Sequence, residues 1–121
     1  MRVLVCGSRH FDDWRILNNV LIPITEPSRM AKTPLTIIEG GANGADFLAR
    51  TWAKFWGVAF EEYPADWEKH GKAAGVIRNT QMLEEGKPDM VVAFLSPNSR
   101  GTANMIDQAT KANIPVKVIN I

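Results

Sequence analysis

Residues 35–48, Leu-Thr-Ile-Ile-Glu-Gly-Gly-Ala-Asn-Gly-Ala-Asp-Phe-Leu, decide the fold of this chain. The apolar run at residues 35–38 is typical of a buried strand, and the glycine pair after Glu39 stops it. A helix is expected to begin at Asn43 or Gly44 and to end at Gly57, because glycine readily adopts the left-handed conformation that terminates helices. A strand that enters a helix through a glycine-rich loop is the repeating unit of α/β proteins with parallel sheets.

The same alternation continues on both sides of this unit. The resulting order is β-α-β-α-β-α-β-α-β, which favours an α/β, Rossmann-like, three-layer α/β/α sandwich with an open parallel five-stranded sheet. A chain of 121 residues is expected to form a single domain over residues 1–121. The further strands are expected at residues 3–6, 58–63, 90–95 and 115–119, and the further helices from Trp14 and at residues 76–85 and 102–112.

Two segments are expected to be irregular. Pro23 and Pro27 are expected to close the first helix, because proline lacks the N–H group that a helix interior needs, and residues 26–34 are then a surface loop. Residues 65–75 are polar and contain two glycines and Trp67, and no helix or strand is assigned to them.

Composition and charge weigh against several classes of function. The formal net charge of +1 provides no basic excess for nucleic-acid or membrane binding. Cys6 is the only cysteine and is interpreted as a packing residue, while His10 and His70 lack the spacing of a metal site. We therefore expect no metal and no resident cofactor. No apolar stretch approaches the roughly 20 residues of a membrane span and no signal peptide is recognised, so a cytoplasmic location is expected.

A ligand site is expected at one edge of the sheet. In an open parallel sheet, ligands bind beyond the carboxyl ends of the strands, near the point where the strand order reverses. Residues 7–10, 40–46, 66–79 and 96–102 all reach this edge. The candidate ligand-binding residues are Gly7, Ser8, Arg9, Gly40, Gly41, Ala42, Asn43, Gly44, Asp46, Trp67, His70, Arg78, Asn79, Arg100, Gly101 and Thr102.

The glycines and arginines of this edge indicate an anionic ligand. Glycine lets backbone N–H groups approach a ligand, and the next helix turns its partly positive N-terminus to the same point. A phosphate is the simplest occupant, and Arg9, Arg78 and Arg100 could each contact it in bidentate fashion. The alternative is that the glycines only make tight turns and the arginines are solvated.

Three other side chains each allow two interpretations. Asp46 either stabilises the helix N-terminus or acts on a ligand, as a hydrogen-bond acceptor for ribose hydroxyls or as a general base, and Glu39 could act similarly. Trp67 either stacks on a base or covers the core beside Trp52 or Trp56. Asp46 and Glu39 are therefore the candidate catalytic residues.

These motifs, taken in order, resemble the YspA-like branch of the SLOG superfamily, small Rossmann-like proteins of bacteria and phages. The resemblance covers nearly the whole chain and implies a site for a nucleotide or a nucleotide-derived ligand, such as an ADP-ribose-type molecule. It also makes self-association into a dimer or higher homo-oligomer an expectation. The stretches that carry it are residues 2–9, 40–46, 65–67, 70–71, 73–75, 78–79 and 100–102.

Two positions depart from the superfamily pattern. LOG enzymes, which cleave ribose monophosphate from cytokinin nucleotides, carry Pro-Gly-Gly-x-Gly-Thr-x-x-Glu, whereas this chain has Asn98-Ser99 for the two glycines and Met105 for the catalytic glutamate. Methionine cannot exchange a proton, so the LOG mechanism does not carry over. The second departure is Val76, where this branch usually has proline.

Three functions remain after these departures. The first is a binding module that senses or sequesters a nucleotide-derived ligand, and the second is an N-glycosidic nucleotide hydrolase that uses another acid. Binding of single-stranded DNA is the third, and the near-neutral charge argues against it. Whether the protein is an enzyme stays open on the sequence.

Overall fold

A parallel sheet of five strands forms the centre of the molecule, as the sequence predicts. The computed structural model describes residues 1–121. The strands are β1 Arg2–Gly7, β2 Thr36–Glu39, β3 Ala59–Glu62, β4 Met90–Leu95 and β5 Val116–Asn120. The helices are α1 Trp14–Ala31, α2 Ala45–Trp56, α3 Trp67–His70, α4 Ala74–Gly86 and α5 Arg100–Lys111, with a 3₁₀ turn at Gly71–Ala73.

The strand order is β3-β2-β1-β4-β5, and every neighbouring pair is parallel. The chain first builds outward from β1 through β2 to β3, and then crosses to the other side of β1 to form β4 and β5. The order therefore reverses between β1 and β4, where Gly7 pairs with Phe94. This reversal opens a crevice at the carboxyl ends of these two strands.

Helices cover both faces of the sheet and produce the expected three layers. Alternate residues of β1 divide between the faces: Val3 and Val5 pack towards α1 and α2, while Leu4 and Cys6 pack towards α4 and α5. Trp52 of α2 is fully buried in the first core, and its indole N–H donates to Asn18 Oδ1 at 3.0 Å. None of the helices combines the length and the apolar character needed to cross a bilayer.

Helix α1 corrects one prediction, because it continues through Pro23 and Pro27 to Ala31. The turns around the prolines gain side-chain hydrogen bonds to backbone carbonyls. Thr25 Oγ1 donates to the Leu21 carbonyl at 2.7 Å, and Arg29 Nη2 donates to the Ile22 carbonyl at 2.9 Å. Burial of the helix's apolar side against the core stabilises α1 through both prolines, each of which costs about 3 kcal/mol in a helix interior.

The polar segment before α4, to which the sequence assigns no element, forms the single turn α3 and then a 3₁₀ turn. Asp66 caps α3 by accepting a hydrogen bond from the Lys69 N–H at 3.1 Å. Helix α4 begins at Ala74, two residues earlier than expected, so the chain from Trp67 onward folds back against the crevice instead of extending into solvent.

Candidate functional site

A cavity of about 570 Å³ lies in the crevice between β1 and β4. It is within the range of roughly 300–1,000 Å³ typical of small-molecule sites. Loops from both halves of the sheet and the start of α4 form its wall. Eleven of the residues expected from the sequence line it: Gly7, Ser8, Arg9, Ala42, Asp46, Trp67, Arg78, Asn79, Arg100, Gly101 and Thr102. Five others lie outside the wall: Gly40, Gly41, Asn43, Gly44 and His70.

The glycines of the loop after β2 have packing roles. A Cβ on Gly44 would collide with the Ser8 carbonyl and lie 2.6 Å from the Arg9 carbonyl oxygen, and its φ of +75° disfavours other residues. A Cβ on Gly40 would overlap the guanidinium of Arg78. These close approaches bring the loops after β1 and β2 and helix α4 together, which forms one side of the cavity.

Several N–H groups of this loop donate hydrogen bonds to carboxylate or carbonyl oxygens of the protein. Gly41 N–H donates to Glu39 Oε1 at 2.9 Å, and Ala42 N–H donates to Asp46 Oδ2 at 3.2 Å. Ala45 N–H, at the start of α2, donates to the Ser8 carbonyl at 3.1 Å. These three N–H groups already have acceptors within the protein, and their hydrogen bonds stabilise the loop.

Glu39 lies beneath this loop and not on the cavity wall. Its side chain points to the α2 face of the sheet and is fully buried, with Oε2 lacking any hydrogen-bond partner and Oε1 4.0 Å from Arg50. Burial, followed by the repulsion of Glu62, raises the pKa of Glu39 to about 7. The position gives this candidate no direct access to a ligand in the cavity.

Asp46 is the carboxyl group of the cavity wall. It is 6% exposed, and burial raises its pKa above the ordinary value, while Arg78 and the Ala42 N–H oppose that rise. Arg78 Nη1 donates to the Gly40 carbonyl at 2.5 Å. Asp46 therefore combines a helix-terminal position with access to the cavity, so both interpretations made from the sequence are compatible with its place.

A buried amide connects α4 to the start of α5. Asn79 is 4% exposed, and its Nδ2 donates to the Gly101 carbonyl and to Asn104 Oδ1, each at 3.1 Å. Arg78 Nε in turn donates to Asn79 Oδ1 at 3.2 Å. This chain of hydrogen bonds sets the position of the first turn of α5 relative to Arg78.

The first turn of α5 presents unpaired backbone donors. The N–H groups of Gly101 and Thr102 have no acceptor in the protein. Ser99, at the N-cap, does not supply one, because its hydroxyl lies 2.5 Å from that of Ser96. Both residues with unpaired N–H groups line the cavity. A helix N-terminus with free N–H groups is suited to an anion.

The aromatic ring of Trp67 and the guanidinium of Arg9 also line the cavity. The guanidinium carbon of Arg9 lies 5.4 Å from the centroid of the Trp67 ring. Trp67 is 49% exposed, so it does not cover the core beside Trp52, which was one of its two interpretations. Its exposed ring is available to stack against a planar group.

Positively charged residues outnumber acidic residues on the cavity wall. Arg9, Lys72, Arg78 and Arg100 line the cavity, and Asp46 is the only acidic residue among the lining residues. Lys72 was not expected at the site from the sequence, although it lies in the polar segment that reaches this edge. The other lining residues not expected from the sequence are Cys6, His10, Gly75, Val76, Met82, Ser96, Asn98, Ser99 and Asn104.

Met105 lies away from the cavity. It is fully buried against the sheet, in the core that includes Leu4 and Met82. The position at which LOG enzymes carry glutamate therefore holds a packing residue in this protein.

Fold and site together define a small Rossmann-like α/β protein with a cationic cavity at the reversal of its strand order. The chain belongs to the YspA, cpYpsA-related SLOG family, whose model matches residues 1–70. It is 39% identical over 122 residues to the gene 61 protein of Mycobacterium phage D29, covering 95% of this chain and 93% of the phage protein.

One solved structure shows the same fold in a larger protein. The crystal structure of MurG from Acinetobacter baumannii superposes with a TM-score of 0.56 and 10% sequence identity. The alignment covers 98% of this chain and 34% of the MurG chain, so this protein spans about a third of that structure. At this identity the likeness shows a shared arrangement of strands and helices only.

Proposed function

We propose that the cavity between β1 and β4 binds a nucleotide or a nucleotide-derived phosphate ligand, and that the protein works as a sensor or sequestering module. The observation that carries this proposal is the composition of the wall, on which four cations stand against the single carboxylate of Asp46. In a chain with a net charge of only +1, this concentration of positive charge favours an anionic occupant.

The phosphate is assigned to the first turn of α5. The N–H groups of Gly101 and Thr102 are unpaired, and the guanidinium of Arg100 forms no hydrogen bond or ion pair within the protein. Two N–H donors beside a free guanidinium match the acceptor oxygens of a phosphate group. This assignment moves the anion site from the loop after β2, whose donors are partly occupied, to the loop after β4.

The base is assigned to Trp67. Stacking of a base on an aromatic ring contributes about 1–3 kcal/mol and tolerates different bases. Asp46 lies on the same wall and is an acceptor for ribose hydroxyl groups. The ligand would thus lie across the strand reversal, with its base near the start of α3 and its phosphate at α5.

Isothermal titration calorimetry with AMP, ADP, NAD and ADP-ribose tests this function. The proposal predicts saturable binding of at least one of these ligands by the wild-type protein, and a loss of at least tenfold in affinity for Arg100→Gln. The matched control is Arg15→Gln, an exposed arginine of α1 outside the cavity, which should bind as the wild type does. Absence of binding by all four ligands to folded protein would refute the proposal.

Asp46 favours one second candidate, an N-glycosidic nucleotide hydrolase. A buried carboxyl with a raised pKa is suited to donate a proton to a leaving base. Release of free base from nucleoside monophosphates, measured by chromatography, tests this activity. It should vanish in Asp46→Asn and persist in Asp12→Asn, an exposed carboxyl outside the cavity. Base release no faster than without protein would exclude this candidate.

A further inference from the structure

A second cavity adjoins the first across the start of α5. It has a volume of about 370 Å³ and lies between the carboxyl ends of β4 and β5. Ser96, Ser99 and Arg100 line both cavities. The two spaces are therefore neighbours that meet at the segment to which we assign the phosphate.

The second cavity has its own chemistry. Its floor and sides include Leu95, Ala103 and Ile121, which provide apolar surface. Asn120 supplies a side-chain amide that has no hydrogen-bond partner within the protein, and Arg100 stands free at the junction with the first cavity. The hydrogen bond from the Ile121 N–H to the Leu95 carbonyl, at 2.9 Å, fixes the chain that forms the wall. Apolar walls with one free amide suit a ring or a sugar that carries a few polar groups.

We propose that this second cavity is a subsite for the far half of a two-part ligand, a nucleoside diphosphate whose terminal phosphate is esterified to a second sugar or ring-bearing group. The inference rests on the proposed function, because the nucleoside half occupies the first cavity. The diphosphate spans the shared segment at Arg100, and the second group enters the space between Leu95 and Ile121. A ligand that ends at its phosphate leaves this space empty.

The arrangement makes Ala103 a specificity-determining position. Ala103 is exposed on α5, one turn beyond the helix start, and its side chain faces the second cavity without lining the first. A tryptophan at this position would fill the subsite while leaving Trp67, Asp46 and the free N–H groups unchanged. Ala112 is also exposed and lies at the opposite end of α5, so Ala112→Trp is a matched control.

Calorimetric titration of ADP and ADP-ribose into the wild type, Ala103→Trp and Ala112→Trp tests the subsite. These probes differ in whether the terminal phosphate carries a second group. We expect Ala103→Trp to bind ADP-ribose at least tenfold more weakly than the wild type and ADP within twofold of it, and Ala112→Trp to match the wild type for both.

Two outcomes would overturn the proposal, and they are distinguishable. If both ligands bind and Ala103→Trp changes neither affinity, or weakens both equally, the subsite is refuted while the proposed function stands. If neither ligand binds the wild type, the function assigned to the first cavity fails and the subsite falls with it. Circular dichroism of each variant verifies that the fold is retained.

Discussion

Arg78 on α4 donates a hydrogen bond of 2.5 Å from Nη1 to the carbonyl oxygen of Gly40, in the loop after β2. The contact joins an element from the second half of the chain to the first glycine-rich loop. It is possible only because Gly40 has no side chain, since a Cβ there would overlap the guanidinium and lie 3.0 Å from Asp46 Oδ2. This one partly buried contact thus closes one side of the cavity.

Gly40→Ala should therefore destabilise the protein. The added methyl group must displace Arg78 or Asp46, and overpacking of this kind lowers the free energy of unfolding by about 1–3 kcal/mol. Urea denaturation measures the change. Gly101→Ala is the control, because a Cβ there meets nothing within 4 Å and should leave stability equal or slightly raised. Equal effects of the two substitutions would contradict this account of Gly40.

Glu39 should make stability depend on pH. Its pKa is about 7 in the folded protein against an ordinary value of 4.5, so the folded state binds more protons than the unfolded state between these values. The free energy of unfolding should then fall as pH rises from about 4.5 to about 7, by at most about 1.4 kcal/mol per pH unit. The raised pKa of Asp46 contributes in the same direction.

Urea denaturation across this pH range, on the wild type and on Glu39→Gln, measures the effect. The substitution should flatten the slope, because glutamine does not titrate. Glu26→Gln, at an exposed position of α1, should keep the wild-type slope. A slope that is unchanged in Glu39→Gln would show that other groups cause the dependence.

Asn79→Asp should loosen the start of α5. The substitution replaces the Nδ2 donor with a carboxylate oxygen, which cannot donate to the Gly101 carbonyl or to Asn104 Oδ1. A loss of about 1–3 kcal/mol in the free energy of unfolding is expected for a buried group left without its partner. Gln81→Glu makes the same amide-to-acid change at an exposed position of α4 and should cost far less. Thermal and urea unfolding decide between these outcomes.

Trp67→Ala should weaken nucleotide binding without loss of the fold. Removal of the stacking surface is expected to lower affinity by roughly one to two orders of magnitude. The control is Phe55→Ala, because Phe55 is 71% exposed on α2 and lies outside the cavity. Calorimetry that finds the same affinity in both variants would remove Trp67 from the site.

The strands could be predicted because their patterns are local. The bounds of β4, Met90–Leu95, match the prediction, since a short apolar run between Pro88 and Ser96 has few alternatives. Helix α1 could not be predicted in full, because its continuation through the two prolines depends on packing of its apolar side against the core, which the local pattern does not encode.

The sequence predicts which edge of the sheet carries the candidate site, but it does not predict how the individual residues pack there. Strand alternation places the loops after β1, β2 and β4 together, which is why most nominated residues line one cavity. The pattern cannot show that Gly44 packs on the Ser8 carbonyl, or that Glu39 turns towards α2. Both features depend on how the loops after the strands pack against the neighbouring elements.

The most direct test of the proposed binding site is an NMR titration of ¹⁵N-labelled protein with the nucleotide that binds most tightly in calorimetry. The account predicts that the backbone amide signals of Gly101 and Thr102 and the indole signal of Trp67 shift progressively and saturate together. The indole signal of Trp52, which is fully buried in the core on the other face of the sheet, should change little. Saturable shifts confined to other surfaces, with Gly101 and Thr102 unmoved, would contradict the assignment of the ligand to this cavity.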